Sequence, residues 1–440
     1  MRTIKFGIIG CGLMGREFAS AAARWCHLVQ RDVIPEIVAV CDPNPACTGW
    51  FKERIGTVRQ VTDDYRALLA NPNVEAVYIA VPHHLHAEMY GAAITAGKHL
   101  MGEKPFGIDQ TANRAICARA AERADLLVRC SSESPFFPAV QRIGRMLDEG
   151  AFGTLIEAET GFLHSSDLDP EKPINWKRIL AFNGEYGVMG DLGMHACHVG
   201  FRAGWQPLNV RAVLSDIVRE RPDGKGGRAA CETWDNATLL CETVAADPAA
   251  PFPWTIKMQR IAPGQKNNWY LSILGTRASV RWSSVHPDLL EVMRTDGGEQ
   301  MWGQIQTGHE TAYPVITGGI FQFGFTDSIL QMWAAFLHEL HHGRPANRFA
   351  GRLDDQLAAH RGGVERAVER IGAGAQVLGP EHLAGLTGQQ RVRGKQVAAI
   401  RPAPGRGHVV NRCFGCVVVD RDLTPRLGIR TRQEGELDRR

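Results

Sequence analysis

Ile4-Lys5-Phe6-Gly7-Ile8-Ile9-Gly10-Cys11-Gly12-Leu13-Met14-Gly15 decides the fold of this chain. The apolar run Ile4–Ile9 suits a strand buried on both faces, as in a parallel sheet. The G-x-G-x-x-G that follows has a separate task for each glycine. Gly10 permits a tight turn, Gly12 lets the backbone approach a pyrophosphate, and Gly15 lets the next helix pack on the strand. That helix should begin near Leu13 and run to about Cys26. The free N–H groups of its first turn, at Leu13 and Met14, would face phosphate. A second strand, Ile37–Cys41, ends in Asp42, placed to accept hydrogen bonds from an adenosine ribose. A carboxylate there repels a 2′-phosphate, so NAD is the expected cofactor. Arg16 is close enough in sequence to leave NADP open.

Strand and helix keep alternating to about residue 130. Asp63 or Asp64 can cap a short helix ending at Leu69. Ala76–Ala80 reads as a strand running into Val81-Pro82-His83-His84-Leu85-His86, at the carboxyl edge where ligands bind in such sheets. A helix should run from about Leu85 to Ala96, and Gly97 stops it. His99–Met101 is the next strand and leads into Glu103-Lys104-Pro105. Asp109 caps a further helix, and Leu126–Val128 follows. This alternation implies a doubly wound parallel sheet. Val81, Pro82, His83, His86, Glu103 and Lys104 are expected to line its cofactor. Adjacent histidines point in different directions and no Cys or carboxylate completes a ligand set beside them, so no metal is expected there.

Composition sets the outer limits. The 440 residues have length for two domains, and 50 basic against 47 acidic residues leave a net charge of +3. That balance points to neither nucleic acid nor a membrane surface as partner. No apolar run approaches the roughly 20 residues of a membrane span. The N-terminus enters a strand without a signal-peptide pattern. The 11 cysteines are odd in number and scattered, as expected of reduced thiols in a cytoplasmic protein.

After residue 130 the pattern changes. A helix opens at Phe137-Pro138 and ends at Gly150, and a strand spans Leu155 to Leu163. The long loop His164–Glu185 carries Asn175-Trp176-Lys177-Arg178 and Phe182-Asn183-Gly184. Loops of this length in compact domains are usually functional or disordered, and its aromatic and amide content favours binding. His164, Asn175, Trp176, Arg178, Asn183 and Tyr186 are the candidates to shape a substrate pocket. In Gly190-Asp191-Leu192-Gly193-Met194-His195-Ala196-Cys197-His198, Asp191 and His195 stand four apart and share one helix face. Spacing alone leaves two readings open: an acid/base unit in which Asp191 orients His195, or a capping Asp above a buried His. Short strands then recur, at Val210–Ile217, Ala237–Val244, Thr255–Ile261, Trp269–Leu274 and Ser279–Trp282. They imply an open, mainly antiparallel sheet covered by helices. Ser328–His342 is an amphipathic helix. Its terminal histidines His338, His341 and His342 are read as complementing the helix dipole rather than as metal ligands.

Taken together, these residues resemble the Gfo/Idh/MocA oxidoreductases. The resemblance covers roughly residues 3–349. It rests on Gly10-x-Gly12-x-x-Gly15, Val81-Pro82-His83-x-x-His86, Glu103-Lys104-Pro105 and Asp191-x-x-x-His195, in that order. It implies a Rossmann domain over residues 1–130 and an α+β domain for substrate and oligomerisation over 131–349. It also implies NAD(P)-dependent transfer of a hydride at a secondary hydroxyl or carbonyl of a sugar, sugar acid or cyclitol. Lys104, Asp191 and His195 would be catalytic and would touch the substrate, and a homo-dimer or homo-tetramer is expected. Two other functions exist on this fold: a redox-neutral glycoside hydrolase that retains NAD, and a non-catalytic sugar-responsive binding protein. Relatives commonly carry Asn at the place of His83 and Asp at the place of His198. The chain departs further over residues 350–440, which are rich in Arg and Gly and weakly periodic. There we expect either a reading frame altered from about residue 351 or a basic tail, partly disordered. The lone Cys413-x-x-Cys416 is not expected to hold zinc.

Overall fold

The computed structural model of the protein describes residues 1–245, 247, 249–295 and 298–343. The altered-frame question, the Cys413-x-x-Cys416 pair and the segment 350–440 lie outside the described residues.

Six parallel strands form the first sheet: β1 (Arg2–Ile9), β2 (Val33–Cys41), β3 (Gln60–Thr62), β4 (Ala76–Ile79), β5 (His99–Gly102) and β6 (Val128–Cys130). Their order is β3-β2-β1-β4-β5-β6. The switch point lies between β1 and β4, so the loops after these two strands open one crevice. Helices α1 (Leu13–Ala23), α2 (Pro45–Arg54), α3 (Tyr65–Leu69), α4 (His86–Thr95) and α5 (Gln110–Glu122) connect the strands. Their starts are set as the side chains dictate. Asp64 accepts from Arg66 N, and Asp109 accepts from Ala112 N.

The second sheet is larger. Helix α6 (Pro138–Asp148) leads to β7 (Leu155–Leu163). A short α7 (Leu180–Asn183) and the long α8 (Val188–Arg202) precede β8 (Gln206–Ser215). A small ribbon, β9 (Glu220–Pro222) with β10 (Arg228–Ala230), interrupts the run. Then come β11 (Asn236–Val244), β12 (Phe252–Gln259), β13 (Asn268–Gly275), β14 (Ala278–Ser283), β15 (Leu289–Arg294) and β16 (Gly303–Gln306). The eight-stranded order is β16-β15-β14-β13-β7-β12-β11-β8, antiparallel except between β7 and β12. Period-two alternation decides which face is buried. Trp254, Ile256 and Met258 of β12 point inward with Leu239 and Ile273, against Ile143 of α6 and Leu192 of α8. On the other face Val213 and Leu240 stand exposed, and Lys257 and Tyr270 bond Glu159. The sequence locates β7, β11, β13 and β14, places β8 and β12 a few residues late, and gives no sign of β9, β10, β15 and β16.

The last described helix, α9 (Phe325–His342), returns to the first sheet. Trp333 stacks on Phe18 with ring centroids 3.7 Å apart and meets Phe6 and Tyr78 edge-on. Arg129 of β6 and Glu339 of α9 form a buried bidentate ion pair. A helix late in the chain thus completes the core under β1 and β4.

Candidate functional site

The crevice begins at the glycines. Gly10 has φ +95°, and a Cβ there would lie 2.2 Å from the Ala80 carbonyl oxygen. A Cβ on Gly15 would lie 2.4 Å from the Gly10 carbonyl. Both positions need glycine for packing. Gly12 differs, because nothing stands within 4 Å of its would-be Cβ. It is the N-cap of α1 and carries no side-chain cap, so the first-turn N–H groups of α1 face open space over Gly12 and the exposed Leu13. This is a cradle suited to a pyrophosphate. Asp42 closes its far side. Its carboxylate accepts from Cys11 N and Asn44 N, both at 2.8 Å, and the remaining lone pairs are free to accept ribose hydroxyls. The chain therefore fits a dinucleotide.

On the other side of the crevice, Lys104 follows β5 and meets the first turn of α8. Its ammonium donates to Asp191 Oδ1 at 2.8 Å and to the Asp191 carbonyl at 2.6 Å. Lys177 Nζ donates to both Asp191 carboxylate oxygens at 3.0 Å. Arg260 lies 3.3 Å from Oδ2. Asp191 is 1% exposed. Burial alone would raise its pKa, but Lys104, Lys177 and Arg260 hold it well below the usual carboxylate range. The N-terminal end of α8 favours its charge as well. In return, Asp191 overcomes burial and holds the Lys104 ammonium above its ordinary pKa.

His195 lies on the same helix face, yet among the described contacts Asp191 does not bond it. The sequence expectation that Asp191 orients His195 is therefore corrected: the shared face is real, but three cations take the carboxylate. The imidazole packs edge-on to Phe162 and against Trp269. Its Nδ1 lies 4.0 Å from Glu133 Oε2 and has no hydrogen-bond partner. Burial, then the Lys104 charge, keep His195 neutral by pushing its pKa well below the ordinary value.

Several expected contacts turn out to brace the site rather than face it. The two ring nitrogens of His86 lie 2.7 Å from the Pro105 carbonyl and 2.9 Å from the Val81 carbonyl, in a fully buried position. It pins the β4 and β5 loops together and does not line the crevice. Glu103 is likewise buried. Its Oε1 accepts from Tyr78 and Ser131, and its carbonyl accepts from Tyr90. Through these bonds it braces Lys104 from behind. Arg178 was expected at the substrate and is completely buried in an ion pair with Asp235. Removing one member of a buried pair leaves the other charge unpaired, at about 3–5 kcal/mol. Arg178→Ala should therefore lower the thermal midpoint sharply while KM for substrate in the folded fraction stays near wild type. A KM change without a stability loss would return Arg178 to the pocket.

The other candidates keep places near the cleft. Pro82 and the buried His83 lie beyond β4, and the His83 ring meets Trp176 edge-on at 4.7 Å. Asn175 caps the turn Trp176–Arg178 by accepting from Lys177 N. Asn183 is 1% exposed, and neither its side-chain oxygen nor its nitrogen has a partner. Tyr186 packs half-buried against the second core. His164 holds Ser166, and burial, with Lys177 adding, pushes its pKa to about 4. Sequence reasoning missed Lys177, Arg260 and Glu133. Only Lys177 had a signal, because it sits inside the Trp-Lys-Arg triplet already singled out.

The profile of the Gfo/Idh/MocA oxidoreductase family, NAD-binding Rossmann fold, matches residues 4–130. Levoglucosan dehydrogenase of Pseudarthrobacter phenanthrenivorans is 27% identical over 301 residues, which cover 66% of this chain and 76% of that protein. Inositol 2-dehydrogenase of Rhizobium meliloti is 22% identical over 296 residues, covering 67% of this chain and 80% of that enzyme. The solved levoglucosan dehydrogenase in complex with NADH superposes with a TM-score of 0.74 at 23% identity, over 85% of this chain and 97% of that one. The glycine cradle, the sheet order and these likenesses agree, and the chain belongs to the Gfo/Idh/MocA family of NAD-binding oxidoreductases.

Proposed function

We propose that the protein is an NAD-dependent dehydrogenase that oxidises a secondary hydroxyl of a sugar or sugar-like polyol, with anhydrosugars such as levoglucosan the first class to try. One observation carries this reading. A charged Lys104 and a neutral His195 converge beside the crevice that fits a dinucleotide, both near one buried carboxylate. The dinucleotide supplies the hydride acceptor when bound. Main-chain N–H groups at Gly12, Leu13 and Met14 hold its phosphates and Asp42 its ribose. Val81, Pro82 and His83 flank its reactive end. Lys104 donates a hydrogen bond to the oxygen that becomes the carbonyl, stabilising the negative charge that develops there. His195 accepts the hydroxyl proton. Asp191 fixes Lys104, and Trp176, Asn183 and Lys177 contact the hydroxyls of the ring. The test is NADH formation on a panel of anhydrosugars, hexoses, inositols and sugar acids, with NAD and NADP in parallel. Turnover of at least one polyol with NAD is expected; silence across the panel with NAD bound would sink the reading.

Asp42 carries the choice of cofactor. Asp42→Ser should lower kcat/KM for NAD by about tenfold, the equivalent of one charge-assisted hydrogen bond, and raise the NADP:NAD ratio. An unchanged ratio would remove Asp42 from the ribose site.

We infer a homo-oligomer as well, built on the outer face of the large sheet. Val213 and Leu240 lie exposed there among Arg211, Glu159 and Lys257. A monomer by light scattering would exclude it.

A further inference from the structure

Glu133 follows β6 and precedes the short turn Ser134–Phe136, where the parallel sheet meets α8. Its side chain is 5% exposed and that of His195 6%. Its Oε2 stands 4.0 Å from His195 Nδ1, a nitrogen without a partner. The other nearby carboxylates are committed: Asp191 to Lys104, Lys177 and Arg260, and Glu103 to Tyr78 and Ser131. The gap is about 1 Å longer than a hydrogen bond, and such bonds often tighten only when substrate binds.

We propose that Glu133 is the positioning residue of His195 and receives, through its imidazole, the proton that the substrate hydroxyl gives up. The inference rests on the dehydrogenase reading. The carbinol C–H bond breaks, and its hydrogen leaves with both electrons for the oxidised dinucleotide. The O–H proton goes to His195 Nε2, the proton on Nδ1 goes to Glu133, and the carbon–oxygen bond becomes double. The products are a carbonyl, the reduced dinucleotide and one proton on Glu133, which water later removes.

The electrostatics suit this role. Burial, then the Glu103 carboxylate, push Glu133 up to about 7, while Lys104 pulls it down. Tyr78 and Cys130 face it from the parallel sheet. His195 is faced by Lys104, Asp191 and Lys177, and by His198 three residues on. His198 itself is held by Ser132. A carboxylate of raised proton affinity beside an imidazole of lowered proton affinity is the better acceptor of the two, so a proton taken up by the ring is drawn on toward Glu133.

The experiment uses Glu133→Gln and Glu133→Asp in the full chain. With NAD and levoglucosan as probes, Glu133→Gln should lower kcat by about 10²-fold, leave KM close to wild type and erase the neutral limb of the pH profile. Glu133→Asp should restore part of both. Without cofactor, pH-difference infrared spectra should show one buried carboxyl titrating at about 7. That band should be missing in Glu133→Gln and displaced in His195→Gln. A band that persists in Glu133→Gln, or that ignores His195→Gln, overturns the proposal, as does an unchanged pH profile. If wild type does not turn over levoglucosan, the fault lies with the substrate reading, and the infrared coupling decides the role of Glu133 by itself.

Discussion

Lys104→Ala should reduce kcat by about 10²–10⁴-fold, the range lost with a proton donor or an oxyanion donor, while the chain still folds and binds NAD. The folding half of this expectation follows from the neighbours of Asp191. With Lys104 gone, Lys177 and Arg260 still neutralise that buried carboxylate, so no charge is orphaned. The binding half follows from distance in the fold, since the cradle at Gly12 and Asp42 belongs to other loops. Steady-state kinetics with the best polyol, together with quenching of tryptophan fluorescence by NAD, checks both halves. Retained turnover in Lys104→Ala would remove Lys104 from the chemistry.

The second large effect belongs to Asp191. Asp191→Ala would leave Lys104, Lys177 and Arg260 facing one another with no counter-charge, and should cost about 3–5 kcal/mol of stability. Asp191→Asn keeps the shape and reports on chemistry. Burial lowers the Lys104 pKa and Asp191 is the main group holding it up, so without the carboxylate Lys104 should lose its proton at lower pH. The alkaline limb of the kcat profile should then move toward neutrality. If Asp191 instead served His195, the acid limb would move and the alkaline limb would stay. Stability has a sign of its own. The folded pKa of Asp191 is depressed, so its contribution is fully present above the ordinary Asp pKa of about 4. It is lost as pH falls through the lower folded value. Asp191→Asn should lack that step in acid unfolding.

Much of this architecture is legible in the sequence. The parallel half was legible because each signal has a local cause. Glycines appear where a Cβ would clash, at Gly10 and Gly15, or where open space is needed, at Gly12. Asp64 and Asp109 cap helices as their positions suggested. In the second sheet, short runs separated by hairpin-like turns mark β11 to β14. Edge strand β16 carries a single apolar residue, Ile305, and left no pattern to find. Helix α9 was visible as an amphipathic helix, but its destination was not, because periodicity says which face is buried and nothing about what buries it.

The site shows the same limit. Lys104, Asp191 and His195 stand out through the motifs that carry the family resemblance, yet the expected partnership of Asp191 with His195 does not hold. Spacing of four residues places two side chains on one face, whereas the cations that claim Asp191 arrive from residues 104, 177 and 260. In the Trp176–Arg178 turn, Lys177 and not Arg178 is the cation that meets Asp191. A 3-10 turn sends successive side chains about 120° apart, so Lys177 reaches the cleft while Arg178 enters the core against Asp235. Glu133 gave no warning at all. Its setting depends on three chain segments meeting, and its own neighbours in sequence read only as the end of a strand.

The most direct test of a hydride-transferring site is isotopic. The polyol that gives the fastest NADH formation would be prepared with deuterium on its carbinol carbons and incubated with the enzyme and NAD. Direct hydride transfer predicts one deuterium in the NADH formed, a slowed rate, and no label in Lys104→Ala within the same time. Unlabelled NADH, or loss of the deuterium to water, would contradict direct transfer between the carbinol carbon and the dinucleotide.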